Sequence, residues 1–127
     1  INQTEGNLSQ AVARAKSLAL RNERGAFGGI PVAAICINSA QKLTLLQHNG
    51  TQAPSCIGPV GDLMWEVQLH KSVKIYEVIN NAVNSAVAEC MCYDNQGLIT
   101  QYQCASCTSG ITFKLQQGNT HAIVSLF

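Results

Sequence analysis

The sequence predicts an α+β fold: one N-terminal α-helix packed on antiparallel β-sheet, the β-part stapled by disulfides. Three observations predict it. Near the N-terminus, apolar residues recur at spacings of three and four, the mark of one buried helix face. From Val32 onward the chain breaks into short β-rich runs separated by turn residues. Six cysteines stand among 127 residues of which only 12% are charged, a composition suited to an oxidising compartment.

The helical stripe is Leu8, Ala11, Val12, Ala15, Leu18 and Ala19, and good helix formers fill the other face. Arg21 and Arg24 lie toward its C-terminal end, where cations suit the helix dipole, and Gly25 is the stop. The helix therefore belongs to residues 1–24 and the β-rich part to residues 25–127 of a single domain. Residues 25–31, with three glycines and a proline, form a loop. Runs 32–37 and 42–47 read as a hairpin around the turn 38–41. Residues 48–51 turn, and 52–62 form a loop with Pro54 and Pro59. Strands are expected at 63–69 and 73–78. Residues 79–89 stay open between a helical turn and irregular or strand structure. Strands at 90–93 and 98–103 flank the turn Asp94-Asn95-Gln96-Gly97, and strands at 111–116 and 122–126 flank residues 117–120.

The cysteines are Cys36, Cys56, Cys90, Cys92, Cys104 and Cys107. Read as three bridges, the first pairs Cys36 with Cys56 in the loop after the hairpin. Cys90 and Cys92 project from one strand face. Nested pairing, Cys90 with Cys107 and Cys92 with Cys104, fits a hairpin; the crossed arrangement stays open. The rival is a four-thiolate zinc site from Cys90-x-Cys92 and Cys104-x-x-Cys107. It leaves Cys36 and Cys56 without a role, so stapling is preferred and no metal is expected.

Little else carries chemistry. His48, His70 and His121 stand apart in sequence from one another and from carboxylates. The seven acidic residues are scattered, and no nucleophile elbow, phosphate loop or zinc-protease motif occurs. No catalytic residue, cofactor or small-molecule substrate is expected. Net charge is +1, which gives no footprint for nucleic acid. Glycosylation sequons at Asn2, Asn7 and Asn49 are attributed to chance in an Asn-rich chain. Trp65 is read as a core anchor. Lys71 and Lys74 beside His70 are read as a solvated strand end or edge.

Helix first, cysteines, then only strands resembles the soluble head of a type IV minor pilin or a type II secretion pseudopilin, of the GspH/FimT/FimU kind. Ala15-Lys16-Ser17-Leu18-Ala19-Leu20-Arg21-Asn22 is similar to that family's helix end, A-R-S-E-A-I-x-R followed by a polar residue. Val32-Ala33-Ala34-Ile35-Cys36 resembles its first strand. Tyr93-Asp94-Asn95-Gln96-Gly97, Ile111-Thr112-Phe113-Lys114-Leu115 and Ala122-Ile123-Val124-Ser125-Leu126 resemble its C-terminal aromatic, turn and strands. The chain departs from the pattern at Leu18, where the family has glutamate, and in a longer loop at 23–30. It lacks the arginine-rich C-terminal segment of DNA-uptake members, and its paired cysteines are not a family hallmark.

The resemblance implies a structural subunit that joins the base or tip of a pilus and takes part in its assembly. Alternatives are a secretion pseudopilin and a tip adhesin or DNA-uptake head. Its implied partners are other pilins, met through helix and β-head. The inner membrane would be met through an upstream apolar helix half that precedes Ile1, about 20–30 residues and long enough to span a bilayer. The implied location is the inner membrane facing the periplasm, then the fibre.

Overall fold

The structure, a computed structural model, describes residues 1–21, 31–38, 40–47, 62–79, 82–85, 89–101 and 107–127. Helix α1 is Asn2–Arg21 and eight strands follow: β1 Ala33–Ile37, β2 Lys42–Gln47, β3 Asp62–Gln68, β4 Lys74–Ile79, β5 Ala82–Ser85, β6 Glu89–Tyr93, β7 Ile111–Gln117 and β8 Thr120–Leu126. They form two four-stranded antiparallel sheets, ordered β3-β2-β1-β6 and β5-β4-β7-β8. The architecture is thus α+β, one helix packed on antiparallel sheets and bridged by disulfides.

Helix α1 buries Leu8, Ala11, Ala15, Leu18 and Ala19, with Thr4 one turn earlier, while Val12 is half-buried against the same core. These are the six residues of the sequence stripe, and Thr4 is the polar residue that the stripe did not include. Three alanines among them let the helix backbone lie close to the sheet. Glu5 in the first turn and Arg21 in the last complement the helix dipole. Leu8 lines one small cavity together with Ile35, Ile37 and Leu43 from one sheet and Ile111, Phe113 and Leu126 from the other, and the helix and both sheets share one core. Farther along, Leu18 approaches Leu45, and Leu20 lies over Gly97. The helix therefore runs over β1 and β2, its start at the turn between them and its end at the turn after β6.

That core takes alternate residues of the first sheet: Ala33, Ile35 and Ile37, Leu43 and Leu45, Met91 and Tyr93. The opposite face of β1 and β6 carries Ala34, Cys36, Cys90 and Cys92. Cys36 and Cys90 stand directly opposite in the β1–β6 register, with Cα atoms 4.1 Å apart, and are disulfide-bonded. Cys92 is bonded to Cys107 across 5.9 Å. Ala34, Cys92 and Cys107 form a second small buried cluster, with Cys36 against it.

These bonds correct three expected pairings. Cys36 does not pair with Cys56, nor Cys90 with Cys107, nor Cys92 with Cys104. The nearest cysteine in sequence lost to the nearest in register, because β6 pairs with β1 across 54 residues of separation. The Cys92–Cys107 bond belongs to the crossed arrangement. With Cys90, Cys92 and Cys107 oxidised, the four-thiolate zinc alternative has no thiolates to use at those positions. Cys56 and Cys104 lie outside the described residues.

Four further expectations meet the structure. The helix ends at Arg21, and its expected extension to Arg24 lies outside the described residues. The open stretch 79–89 contains β5, which hairpins with β4 from Tyr76↔Ser85 to Ile79↔Ala82. The strand expected at 98–103 is not formed over 98–101; only Ile99 bridges, to Tyr93. The reason lies at the edge of β6. Its carbonyls accept from two separate segments, Thr100 N–H at Cys92 and Thr108 N–H at Cys90, so no single strand occupies it. The expected turn at 94–97 is present. The Asp94 carboxylate accepts from the N–H groups of Gln96 and Leu98. Gly97 has φ +75°, and Leu20 leaves a Cβ there only 3.3 Å of room.

Gln41 joins the sheets. Its Nε2 donates to the Val73 carbonyl at 3.0 Å, and its Oε1 accepts from Ile75 N–H at 3.3 Å. It does so from a left-handed conformation, φ 61°, which costs a non-glycine residue roughly 1 kcal/mol. Two hydrogen bonds contribute about 0.5–1.5 kcal/mol each and outweigh that strain. Gln41→Gly is therefore expected to destabilise the protein by about 1 kcal/mol in urea denaturation, despite relieving φ; a more stable variant would contradict this balance.

Candidate functional site

The sequence placed no catalytic constellation, and its candidate residues are the helix face and the cysteines. Burial divides the helix sharply. Opposite the buried stripe, Gly6, Gln10, Ala13, Ser17 and Leu20 are exposed and recur at spacings of four, three, four and three. This second stripe is uncharged at all five positions and small at three of them, Gly6, Ala13 and Ser17. Such side chains let another helix approach closely.

Beside it runs a groove of about 470 Å³ between α1 and the edge strand β3, floored by Leu18, Leu45 and Trp65 and rimmed by Gln10, Ser17, Arg21 and Met64. Trp65 is half-buried against the main core, as expected of an anchor. The Arg14 guanidinium lies 5.1 Å from its ring centroid, a cation–π contact. Met64 is the extra residue of a β-bulge: Leu45 pairs with Trp65 and Leu46 with Leu63. The bulge turns Leu63 and Met64 outward, 56% and 47% exposed, and widens the apolar part of the groove. Sequence reasoning missed this; the strand pattern gave no sign of the bulge.

The polar candidates are dispersed. His70 Nδ1 lies 2.6 Å from the Ser72 hydroxyl, and its ring is exposed. His121 is exposed on β8, and His48 lies outside the described residues. Glu66 pairs with Lys42 at 2.7 Å on the surface. Lys71 and Lys74 line an open hollow of about 230 Å³ with Ala40 and Gln41. Among the described residues, no three His, Cys, Asp or Glu side chains converge. No helix there is long and apolar enough to cross a membrane.

Two buried polar side chains add to what the sequence shows. Gln47 and Tyr93 both stand opposite Ala33, on β2 and β6, so they flank one small residue on one sheet face. Both are fully buried, and neither Gln47 Nε2 nor the Tyr93 hydroxyl has a hydrogen-bond partner among the described residues. Burial pushes the Tyr93 phenol up to about 12 from its usual 10. The neutral phenol is the form the fold holds, so its contribution is complete below pH 10 and is lost as pH rises from 10 toward 12. Alkaline titration should show an unfolding step in that range that Tyr93→Phe moves upward, with stability at pH 7 changed by less than about 1 kcal/mol because the hydroxyl makes no bond. A step unmoved in Tyr93→Phe would refute the assignment.

Comparison with known families, curated proteins and solved structures found no match to this chain.

Proposed function

We propose that the chain is the head of a minor pilin, a structural subunit that takes part in assembling a type IV pilus, at its initiation or tip complex. The observation that carries the reading is the two-sided helix. One face is sealed into a β-head through Leu8, Ala11, Ala15, Leu18 and Ala19. The other presents Gly6, Gln10, Ala13 and Ser17 to solvent. A helix that served only its own head needs one buried face and a polar or charged outer one; this outer face, uncharged and holding glycine and alanine, also suits close neighbouring helices.

The reading assigns packing rather than chemistry to the subunit. The helix enters a bundle of pilin helices, and the β-head meets the heads beside it. Disulfides on the sheet face away from the helix brace that head where shear would act. Before assembly the subunit would reside in the inner membrane, its head in the periplasm.

The encoded sequence upstream of Ile1 tests this reading. The expected result is a short leader ending in glycine or alanine, then an apolar run that opens with an aromatic residue. A plain cleavable secretory signal would overturn it.

A further inference from the structure

The two sheets have four edges, and three are guarded. At β3, Asp62 and Glu66 place charge on the edge, and the bulge at Met64 distorts it. At β6, Thr100 and Thr108 donate to its outer carbonyls. β5 is four residues long. Charge, bulges, covering segments and shortness are the usual ways to keep a strand from pairing with a stranger.

Among the described residues, β8 shows no charged guard, bulge or shortening, and α1 packs against it. It is Thr-His-Ala-Ile-Val-Ser-Leu, seven residues without an acid, lysine, arginine or proline. Its pairing with β7 runs unbroken from Ile111↔Leu126 to Gln117↔Thr120. Among the described residues, no backbone hydrogen bond reaches its far edge. Ile123 is 60% exposed and Phe127, just beyond the strand, is 67% exposed.

We propose that β8 is a pairing edge whose partner is β8 of a second copy, antiparallel, so that two four-stranded sheets join into one of eight. The sequence is self-complementary about Ile123. A two-fold axis there sets Ile123 against Ile123, Ala122 against Val124 and His121 against Ser125. Residues directly opposite share a face. The outer face of the join then gains an aliphatic pair flanked by His–Ser pairs, and no like charges meet. Ala122, Val124 and Leu126 continue the inner, half-buried to buried face. One strand pair covers less surface than the roughly 1,200 Å² of a stable complex, so the association is weak, with a Kd of order 10⁻⁴ M, and little affected by salt because no ion pair forms. This inference stands apart from the pilin reading.

Sedimentation equilibrium from about 10 μM to about 1 mM tests it. The expected result is a mean mass rising toward twice the monomer, at low and high salt alike. Ile123→Lys puts two ammonium groups on the axis and should weaken association at least tenfold, with an unchanged melting curve because the side chain is exposed. Hydrogen exchange should show concentration-dependent protection of the β8 amides that point away from β7. A wild-type chain that stays monomeric at about 1 mM would overturn the proposal. So would a dimer that Ile123→Lys leaves intact, or one protected elsewhere but not on β8.

Discussion

Replacing Cys36 and Cys90 together by alanine should lower the unfolding free energy by about 4 kcal/mol. The bond closes a span of 54 residues, and in the chain-entropy account a loop of that length restricts the unfolded chain by about that amount. For a chain of this size the melting temperature should fall by roughly 10–15 °C. Cys92–Cys107 closes only 15 residues and is worth about 3 kcal/mol on the same account. Both its cysteines are buried with Ala34, so removing it also leaves a cavity and the two double variants should come out comparable. Guanidinium denaturation measures both. A Cys36/Cys90 variant within about 1 kcal/mol of wild type would mean that the bond does not restrict the unfolded chain. Non-reducing peptide mapping checks the same bond chemically, with a fragment linking residues 36 and 90 as the expected product.

Leu8→Ala should be nearly as damaging, at about 3 kcal/mol. Leu8 is fully buried where the helix meets both sheets, lining a small cavity with Ile37, Leu43, Phe113 and Leu126. Truncation loses the transfer free energy of the side chain and leaves a cavity whose walls belong to three elements, which limits collapse. Small residues elsewhere on the stripe predict the opposite failure. Ala15→Leu must fit three extra carbons between helix and sheet, at about 1–3 kcal/mol. Ser17→Ala on the exposed face should change stability by less than about 0.5 kcal/mol. The three urea midpoints therefore have a predicted order. Equal effects at positions 8 and 17 would contradict the division of the helix into a core face and a free face.

Local patterns made much of this fold legible. Leu8 to Ala19 repeat at the helical period, and each of those six residues packs on the core. The hairpin of β1 and β2, the turn at Asp94–Gly97 and the final hairpin of β7 and β8 each carry their turn chemistry in four residues. What stayed hidden was long-range. Nothing local to Cys36 says that β6 will lie beside β1 rather than next to its sequence neighbour β5. The disulfide map follows from that strand order, and so it could not be read. The bulge at Met64 depends on how β3 meets β2, and the expected strand is absent over 98–101 because two segments share the edge of β6. The outward stripe Gly6–Gln10–Ala13–Ser17 was not read from the sequence and emerged only from the exposure of those residues. It gained meaning once the opposite face was seen to be full.

The pilin reading rests on that outward stripe as the surface that packs in a fibre. Its most direct test is the recovery of the full chain in sheared surface fibres from cells that carry either the native sequence or Ala13→Arg. The expected result is the native chain in the fibre fraction and the variant absent from it, while the purified variant head melts as wild type because Ala13 is exposed. A native chain that never enters the fibre fraction, or a variant that enters it as well as the native chain, would contradict the reading.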